Sequence, residues 1–182
     1  MRAFRTCSFL LLVVAAGTLV GCATTSTKSA DISPQIRKSL DQAGFKDVSV
    51  TQDRDKGVVT LGGHVAADAD KSQAETIAKS TAGSEVVANQ IAVIPVGGES
   101  DAKKMNSDLD KGIGANLDAA LIQVKIQDGV KYDVKNGVVT LTGEVNSEST
   151  RAQAATVAST VPNVQQVVNE LQVKGQKATS SN

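Results

Sequence analysis

A nine-residue segment occurs twice in this chain and constrains its fold more than any other feature. It reads GVVTLGGHV at Gly57–Val65 and GVVTLTGEV at Gly137–Val145. Valine, threonine and leucine favour β-strands, and the glycines at both ends favour tight turns or bulges. The register continues without a gap to Val93 and Val173, so the two copies belong to two domains of the same kind.

Each copy is predicted to contain two helices and three strands, in the order helix, strand, strand, helix, strand. In the first copy, Ser33-Pro34 favours a helix start and Gly44 ends that helix. The order favours an α+β fold made of two repeated αββαβ two-layer sandwiches, each a three-stranded sheet with two helices on one face. The strands of the first copy are predicted at Val48–Val50, Gly57–Val65 and, as one long strand, Val86–Ile94.

The second copy repeats this order, with its first helix predicted at Asp108–Leu121. Gly112 and Gly114 lie in that helix, and each destabilises a helix by up to about 1 kcal/mol relative to alanine, so we expect its start to fray. The predicted domains are residues 33–96 and 108–174. A polar linker at 97–107 joins them, and a disordered tail occupies 175–182.

Residues 1–21 have the plan of a signal peptide. Arg2 and Arg5 precede an apolar run, Phe9–Val20, that is too short to span a bilayer comfortably. Leu19-Val20-Gly21-Cys22 resembles the bacterial lipobox, in which the cysteine becomes the first mature residue and carries fatty acyl chains such as palmitate. The alternative is an ordinary signal peptide that happens to contain Cys22.

The cysteine content supports acylation. The chain has two cysteines, Cys7 and Cys22, so cleavage before Cys22 leaves no pair for a disulfide. The residue after the cysteine is Ala23 and not Asp. This resembles the sorting signal of lipoproteins that are sent to the outer membrane. Residues 22–32 are predicted to be the acylated cysteine and a flexible tether. The tether, residues 23–32, is small and polar and reaches roughly 33 Å when extended.

The two copies resemble the BON domain, named for bacterial osmotic-stress and nodulation proteins. The resemblance rests on Ile36, Leu40, Gly57–Val65, Val87, Asn89 and Val93 in the first copy and on Ile113, Leu117, Gly137–Val145, Val167, Asn169 and Val173 in the second. It implies contact with phospholipid and a part in keeping the envelope intact under osmotic or other envelope stress. It implies no catalysis.

The residues themselves indicate no enzyme. His64 is the sole histidine, and its equivalent in the second copy is Glu144, which favours a solvated surface position over a catalytic or metal site. Gly62-Gly63 lacks the spacing of a phosphate or dinucleotide loop. We therefore predict no catalytic residue, no metal site and no cofactor.

The charges are balanced in both copies. Residues 33–96 carry seven basic and eight acidic side chains, and residues 108–174 carry six and eight. A nucleic-acid-binding domain needs a basic surplus, so this class of partner is excluded. A polybasic phospholipid site is also not visible in the sequence.

The sequence thus favours a periplasmic lipoprotein anchored to the outer membrane through Cys22, with phospholipid as its main partner and outer-membrane proteins as further partners. In the second domain, the glycine-loosened helix is the predicted lipid contact, through Lys111, Ile113, Leu117 and Leu121. The alternative for Ile113 and Leu117 is a place in the core. The alternative function is a protein-interaction or chaperone-like module without intrinsic lipid binding, which uses exposed strand edges or the interdomain groove.

Overall fold

The computed structural model describes residues 28–175, which form two α+β domains of the same plan. The predicted signal peptide, Cys22 and residues 176–182 lie outside the described part of the chain. The first domain comprises α1 (Ser33–Gln42), β1 (Val48–Asp53), β2 (Val58–Val65), α2 (Asp68–Ala82), β3 (Val86–Asn89) and β4 (Ala92–Val93). The second comprises α3 (Glu99–Gln123), β5 (Val130–Lys135), β6 (Val138–Val145), α4 (Glu148–Thr160), β7 (Gln166–Asn169) and β8 (Gln172–Val173).

The repeated segment forms the central strand of each sheet. In the first domain β2 pairs antiparallel with β1 on one side and parallel with β3 and β4 on the other. The second sheet has the same pairing around β6. The single last strand predicted in each copy is two short strands, because the Oδ1 of Asn89 accepts from the N–H of Ile91 at 3.4 Å and turns the chain there.

Both helices of each domain pack on one face of its sheet, as predicted. Ile36 and Leu40 of α1 and Ala74 and Ala78 of α2 are fully buried in one core with Leu61 of β2. The second core repeats this packing with Ile113, Leu117, Ala154, Ala158 and Leu141. Alanine on the second helix of each domain lets the helix lie close to the sheet, so the layers stay thin.

The first helix of the second domain begins nine residues before the predicted Asp108, inside the segment 97–107 that is predicted to be a polar linker. Helix α3 begins at Glu99 and continues without interruption through Gly112 and Gly114 to Gln123. Glu99 and Asp101 lie in its first turn, where negative charge interacts favourably with the helix dipole. Alanine, lysine and methionine, which favour helices, follow. Favourable residues before the glycines and buried residues after them therefore outweigh the cost of the two glycines.

Part of the predicted tether contacts the first domain. The N–H of Ser29 donates to the carbonyl of Arg54 at 3.0 Å, and the N–H of Ile32 donates to Oε1 of Gln52 at 3.0 Å. Lys28 lies 3.2 Å from a carboxylate oxygen of Asp55. Residues 28–32 are thus attached beside the β1–β2 turn.

Across residues 28–175, none of the helices combines the length and the apolar character that crossing a bilayer requires.

Candidate functional site

The apolar side chains predicted to contact lipid lie in the core of the second domain. Ile113, Leu117 and Leu121 are 1%, 0% and 2% exposed. Their spacing along α3 turns all three towards the sheet, so they are not accessible to lipid in the folded chain. Lys111 is the exception, because its side chain is exposed beside Asp108 at 3.3 Å. The interpretation of Ile113 and Leu117 as core residues is the correct one.

Two solvent-exposed apolar residues of α3 lie one to two turns before Ile113. Met105 is 71% exposed and Leu109 is 40% exposed. They stand four residues apart, hence on one side of the helix, and form a shallow surface pocket with Asp101, Lys104 and Asp108. We call these five residues the α3 patch. Sequence reasoning missed it because the segment was assigned to a linker.

The two domains pack through the sheet faces that their helices leave open. Val58, Val86 and Ala88 of the first sheet form a buried cluster with Val138 and Val168 of the second. Val58 and Val138 are equivalent in the two copies, and each has its side chain on the outer face of its sheet. Alternation along the repeated strand therefore gives one valine to the domain core and its neighbour to the interdomain contact.

Gln166 joins the edges of the two sheets. Its Nε2 donates to the carbonyl of Val87 at 2.6 Å, and its Oε1 accepts from the N–H of Asn89 at 2.9 Å. Both backbone groups belong to β3, an edge strand, so one side chain satisfies groups that a further strand would bind. The equivalent residue in the first copy is Val86. This difference between the copies, valine in one and glutamine in the other, is the sequence signal that could have identified the contact.

Two lysines of the first domain reach the second. Lys56 Nζ lies 2.6 Å from Oε2 of Glu170, and this hydrogen bond raises the pKa of Lys56 above its ordinary value. Lys71 Nζ donates to Oε1 of Gln165 at 2.9 Å, and burial lowers the pKa of Lys71. Charged and neutral partners thus surround the apolar cluster, as polar groups do at the rim of many protein interfaces.

The β5–β6 turn connects α3 to both domains. The N–H groups of Asn136 and Gly137 donate to the two carboxylate oxygens of Asp110 at 2.8 and 2.9 Å. The side-chain amide of Asn136 donates to the carbonyl of Gln90 in the first domain at 2.8 Å. Both oxygens of Asp110 are therefore used in holding the turn.

Beside this turn lies an open groove of about 660 Å³, which we call the interdomain groove. One wall is the end of the first sheet, with His64 and Ala92, and another is α3, with Lys103 and Lys111. The third wall is strand β5. His64 is exposed at the groove mouth, which agrees with the predicted surface position.

Tyr132 of β5 lines the groove and has a raised pKa. Its hydroxyl donates to the carbonyl of Gly114 at 3.1 Å. Burial, together with the nearby carboxylate of Asp118, raises the pKa of Tyr132 to about 12. The phenol therefore stays protonated at physiological pH and acts here as a hydrogen-bond donor.

Nothing in the described part of the chain assembles a metal site. No group of three or more histidine, cysteine, aspartate or glutamate side chains there is placed to hold an ion. The features that the structure does bring together are an open groove, an exposed helix patch and an interdomain contact.

A known protein and two solved structures are similar to this chain. The chain is 28% identical over 149 residues to osmotically-inducible protein Y of Escherichia coli (strain K12), which covers 79% of this chain and 71% of that protein. Two solved structures of CdsD, a structural protein of the type III secretion system of Chlamydia trachomatis, share 14% identity. They cover 79% and 81% of this chain and 92% and 99% of their own, with TM-scores of 0.34 and 0.33, which are too low to carry an argument.

The family comparison covers most of the chain. The BON domain model matches residues 28–95 and again residues 106–175. These ranges contain both sheets and all four helices except the first turns of α3. The chain belongs to the BON-domain family, with two copies of the domain in tandem.

Proposed function

We propose that this protein is a non-catalytic lipoprotein of the bacterial envelope, acylated at Cys22 and held at the periplasmic face of the outer membrane. Its paired BON domains contact phospholipid and support envelope integrity under osmotic stress. The observation that carries the proposal is the Leu19–Cys22 motif placed ahead of two BON domains. The similarity to a protein named osmotically-inducible supports osmotic stress as the condition under which this protein acts.

The α3 patch is the surface that we assign to phospholipid. Burial of Met105 and Leu109 would contribute roughly 1.5–3 kcal/mol each if it were complete, and less at their partial exposure. Lys104 adds about 1 kcal/mol near an anionic surface, while Asp101 and Asp108 oppose it. The patch alone therefore binds weakly.

Weak contact suffices when the chain is already anchored. Acyl chains on Cys22 hold the domains near the membrane, so the second contact forms at a high effective concentration. The segment between Cys22 and the attached residues 28–32 is short, which keeps the first domain close to the surface. The anchor supplies attachment, and the patch orients the domain pair on the membrane.

Two variants test the anchor and the patch separately. Cys22→Ser abolishes acylation, which is measured by labelling with a palmitate analogue and by membrane fractionation. Outer-membrane retention of a processed, unlabelled Cys22→Ser protein would refute the anchor.

The patch is tested on the full mature chain carrying Cys22→Ser, by flotation with phosphatidylglycerol vesicles at low salt. Adding Met105→Glu and Leu109→Glu together abolishes flotation. Ile122→Glu, at a 59% exposed apolar residue near the other end of α3, is the matched control and leaves flotation unchanged. Equal flotation of the two variants, or none in the parent, would contradict lipid contact by the patch.

A further inference from the structure

One end of this strand edge is covered in the first domain and open in the second. In the first domain Arg37 of α1 donates to the carbonyl of Val48, the first residue of β1. Ile36 and Leu40 occupy the same core positions as Ile113 and Leu117, so the equivalent of Arg37 is Gly114. The second domain thus has no side chain at the position from which Arg37 reaches the edge.

The backbone of β5 faces the interdomain groove. Five consecutive residues, Tyr132 to Asn136, line it. Side chains of a strand alternate between the two faces of a sheet, so a groove that meets every residue in turn must lie along the strand edge. Within residues 28–175, β5 pairs with β6 alone, so its other edge is not paired with a strand.

The hairpin register identifies which backbone groups are free to bind. Lys135 pairs with Val138 across the two-residue turn, and the carbonyl of Gly129 accepts from the N–H of Glu144 at 3.0 Å. Hydrogen-bonded positions alternate along an antiparallel pair, so the odd-numbered residues of β5 bond inward. The N–H and C=O groups of Tyr132 and Val134 therefore point outward into the groove.

The charges beside this edge favour an acidic occupant. Lys103, Lys111 and Lys135 line the groove together with Asp110 and Asp133. Both carboxylate oxygens of Asp110 are occupied by the β5–β6 turn. Within residues 28–175, Lys111 pairs with the exposed Asp108, a kind of pair that contributes little. Three lysines and two carboxylates thus line the groove, which leaves it with one excess positive charge.

We propose that the interdomain groove binds an extended acidic segment of a partner protein, which adds to β5 as a further strand. Main-chain hydrogen bonds to Tyr132 and Val134 supply the affinity, and the lysines select carboxylates at alternate positions. Six residues of β5 offer a track of roughly 20 Å. This goes beyond the proposed function, because it concerns a protein partner and a surface separate from the α3 patch.

One other occupant fits less well. Residues 176–182 of this chain carry Lys177 and no acidic side chain, so they do not complement the lysines.

The test uses the full mature chain with Cys22→Ser and a blocked eight-residue peptide that alternates glutamate and valine. On titration, the amide signals of Tyr132 and Val134 shift in the NMR spectrum and their hydrogen exchange slows. The same peptide with lysine in place of glutamate binds at least about tenfold more weakly. A peptide with N-methyl groups on the amides that face β5 does not bind, since it cannot donate.

Gly114→Arg and Gly114→Ala form the matched pair of variants. A Cβ at Gly114 would lie 3.6 Å from the Tyr132 ring, an ordinary contact, so the alanine is accommodated. The dispersion of the amide signals checks that the arginine variant is folded. An arginine that reaches as Arg37 does covers the carbonyl of Val130, the equivalent of Val48 at one end of the six-residue track. It therefore weakens peptide binding at least about tenfold, despite its added positive charge, whereas the alanine preserves binding. Vesicle flotation is the same for both, which separates this site from the lipid contact.

Several results would overturn the proposal. These are tight binding of the N-methylated peptide, unchanged binding by the folded Gly114→Arg variant, and shifts confined to the α3 patch. An absence of any shift at millimolar peptide would overturn it equally. Dimerisation through β5 without peptide, seen by light scattering and lost in Gly114→Arg, would assign the edge to a second copy instead.

Discussion

Lys56 and Glu170 form an ion pair across the interdomain contact, with 2.6 Å between Nζ and Oε2. The two residues are 114 positions apart in the chain, and Glu170 is the more buried partner, with its side chain 10% exposed. Its equivalent in the first copy is Gln90, so the charge is present only in the copy that faces a lysine. The pair links two domains that are otherwise joined by small apolar and amide contacts.

Glu170→Gln tests how much this pair stabilises the domain contact. The change keeps the size of the side chain and removes the charge, and we expect the free energy of unfolding to fall by about 1 kcal/mol, since Lys56 is partly solvated. Asp55→Asn is the control, because the Lys28–Asp55 pair is about 60% exposed on both sides and contributes little. Urea denaturation of both variants measures the difference.

The effect of Glu170→Gln on the free energy of unfolding should depend on pH. The pKa of Lys56 is raised in the folded state, so its contribution is fully present below the ordinary lysine value of 10.5 and is lost as pH rises through the raised pKa. The stability difference between the parent and Glu170→Gln therefore shrinks in strongly alkaline solution. A difference that stayed constant from pH 8 into that range would show that the effect is steric and not electrostatic.

Val138 and Val139 are neighbours on β6 with different roles, and aspartate at each should have a different effect. Val139 is fully buried in the second core, so Val139→Asp costs more than about 4 kcal/mol and unfolds the second domain. Val138 lies in the interdomain cluster, so Val138→Asp separates two domains that stay folded. Small-angle scattering and the dispersion of amide signals distinguish these outcomes. Complete unfolding by Val138→Asp would mean that the domains form one cooperative unit.

The sequence predicted the elements whose determinants are local. The repeated strands could be placed because valine, threonine and bounding glycines occur together twice, and the helix positions of Ile36 and Leu40 followed from their spacing. The start of α3 could not, because the segment from Glu99 to Ser107 follows two glycines and has no apolar periodicity. This segment becomes helical because the later turns of α3 pack in the core and the helix extends back from them.

The candidate site was mostly invisible in the sequence because its contacts are long-range. Gln166 and Val87 are 79 residues apart, and no local pattern connects them. Differences between the two copies were the one usable signal, since Arg37 becomes Gly114 and Val86 becomes Gln166. Positions that differ within a repeat mark where the two domains have different neighbours.

Gly143 and Gly112 should respond to alanine in opposite directions. Gly143 has φ +111°, and a Cβ there would collide with the carbonyl oxygen of Gly129, so Gly143→Ala destabilises the second domain by at least about 2 kcal/mol. Gly112 is an exposed helical residue with open space around it, so Gly112→Ala stabilises by about 0.5–1 kcal/mol. Thermal unfolding measures both. A neutral Gly143→Ala would remove the physical reason for the repeated glycine, which also occurs as Gly63 with φ +89°.

Tyr132 offers a direct optical test of the groove, because it is the single tyrosine of the chain and the chain has no tryptophan. Its phenolate absorbance should appear with a midpoint near pH 12 in the folded protein and near the ordinary value of 10.0 in urea. Because the folded state holds this proton more tightly, the corresponding stability is present below pH 10 and is lost as pH rises towards 12. Asp118→Asn removes the carboxylate that contributes to the shift and lowers the midpoint, while burial keeps it above 10. Titration of the folded parent at the unfolded value would show that Tyr132 is solvated and that the wall of the groove formed by α3 and β5 is open.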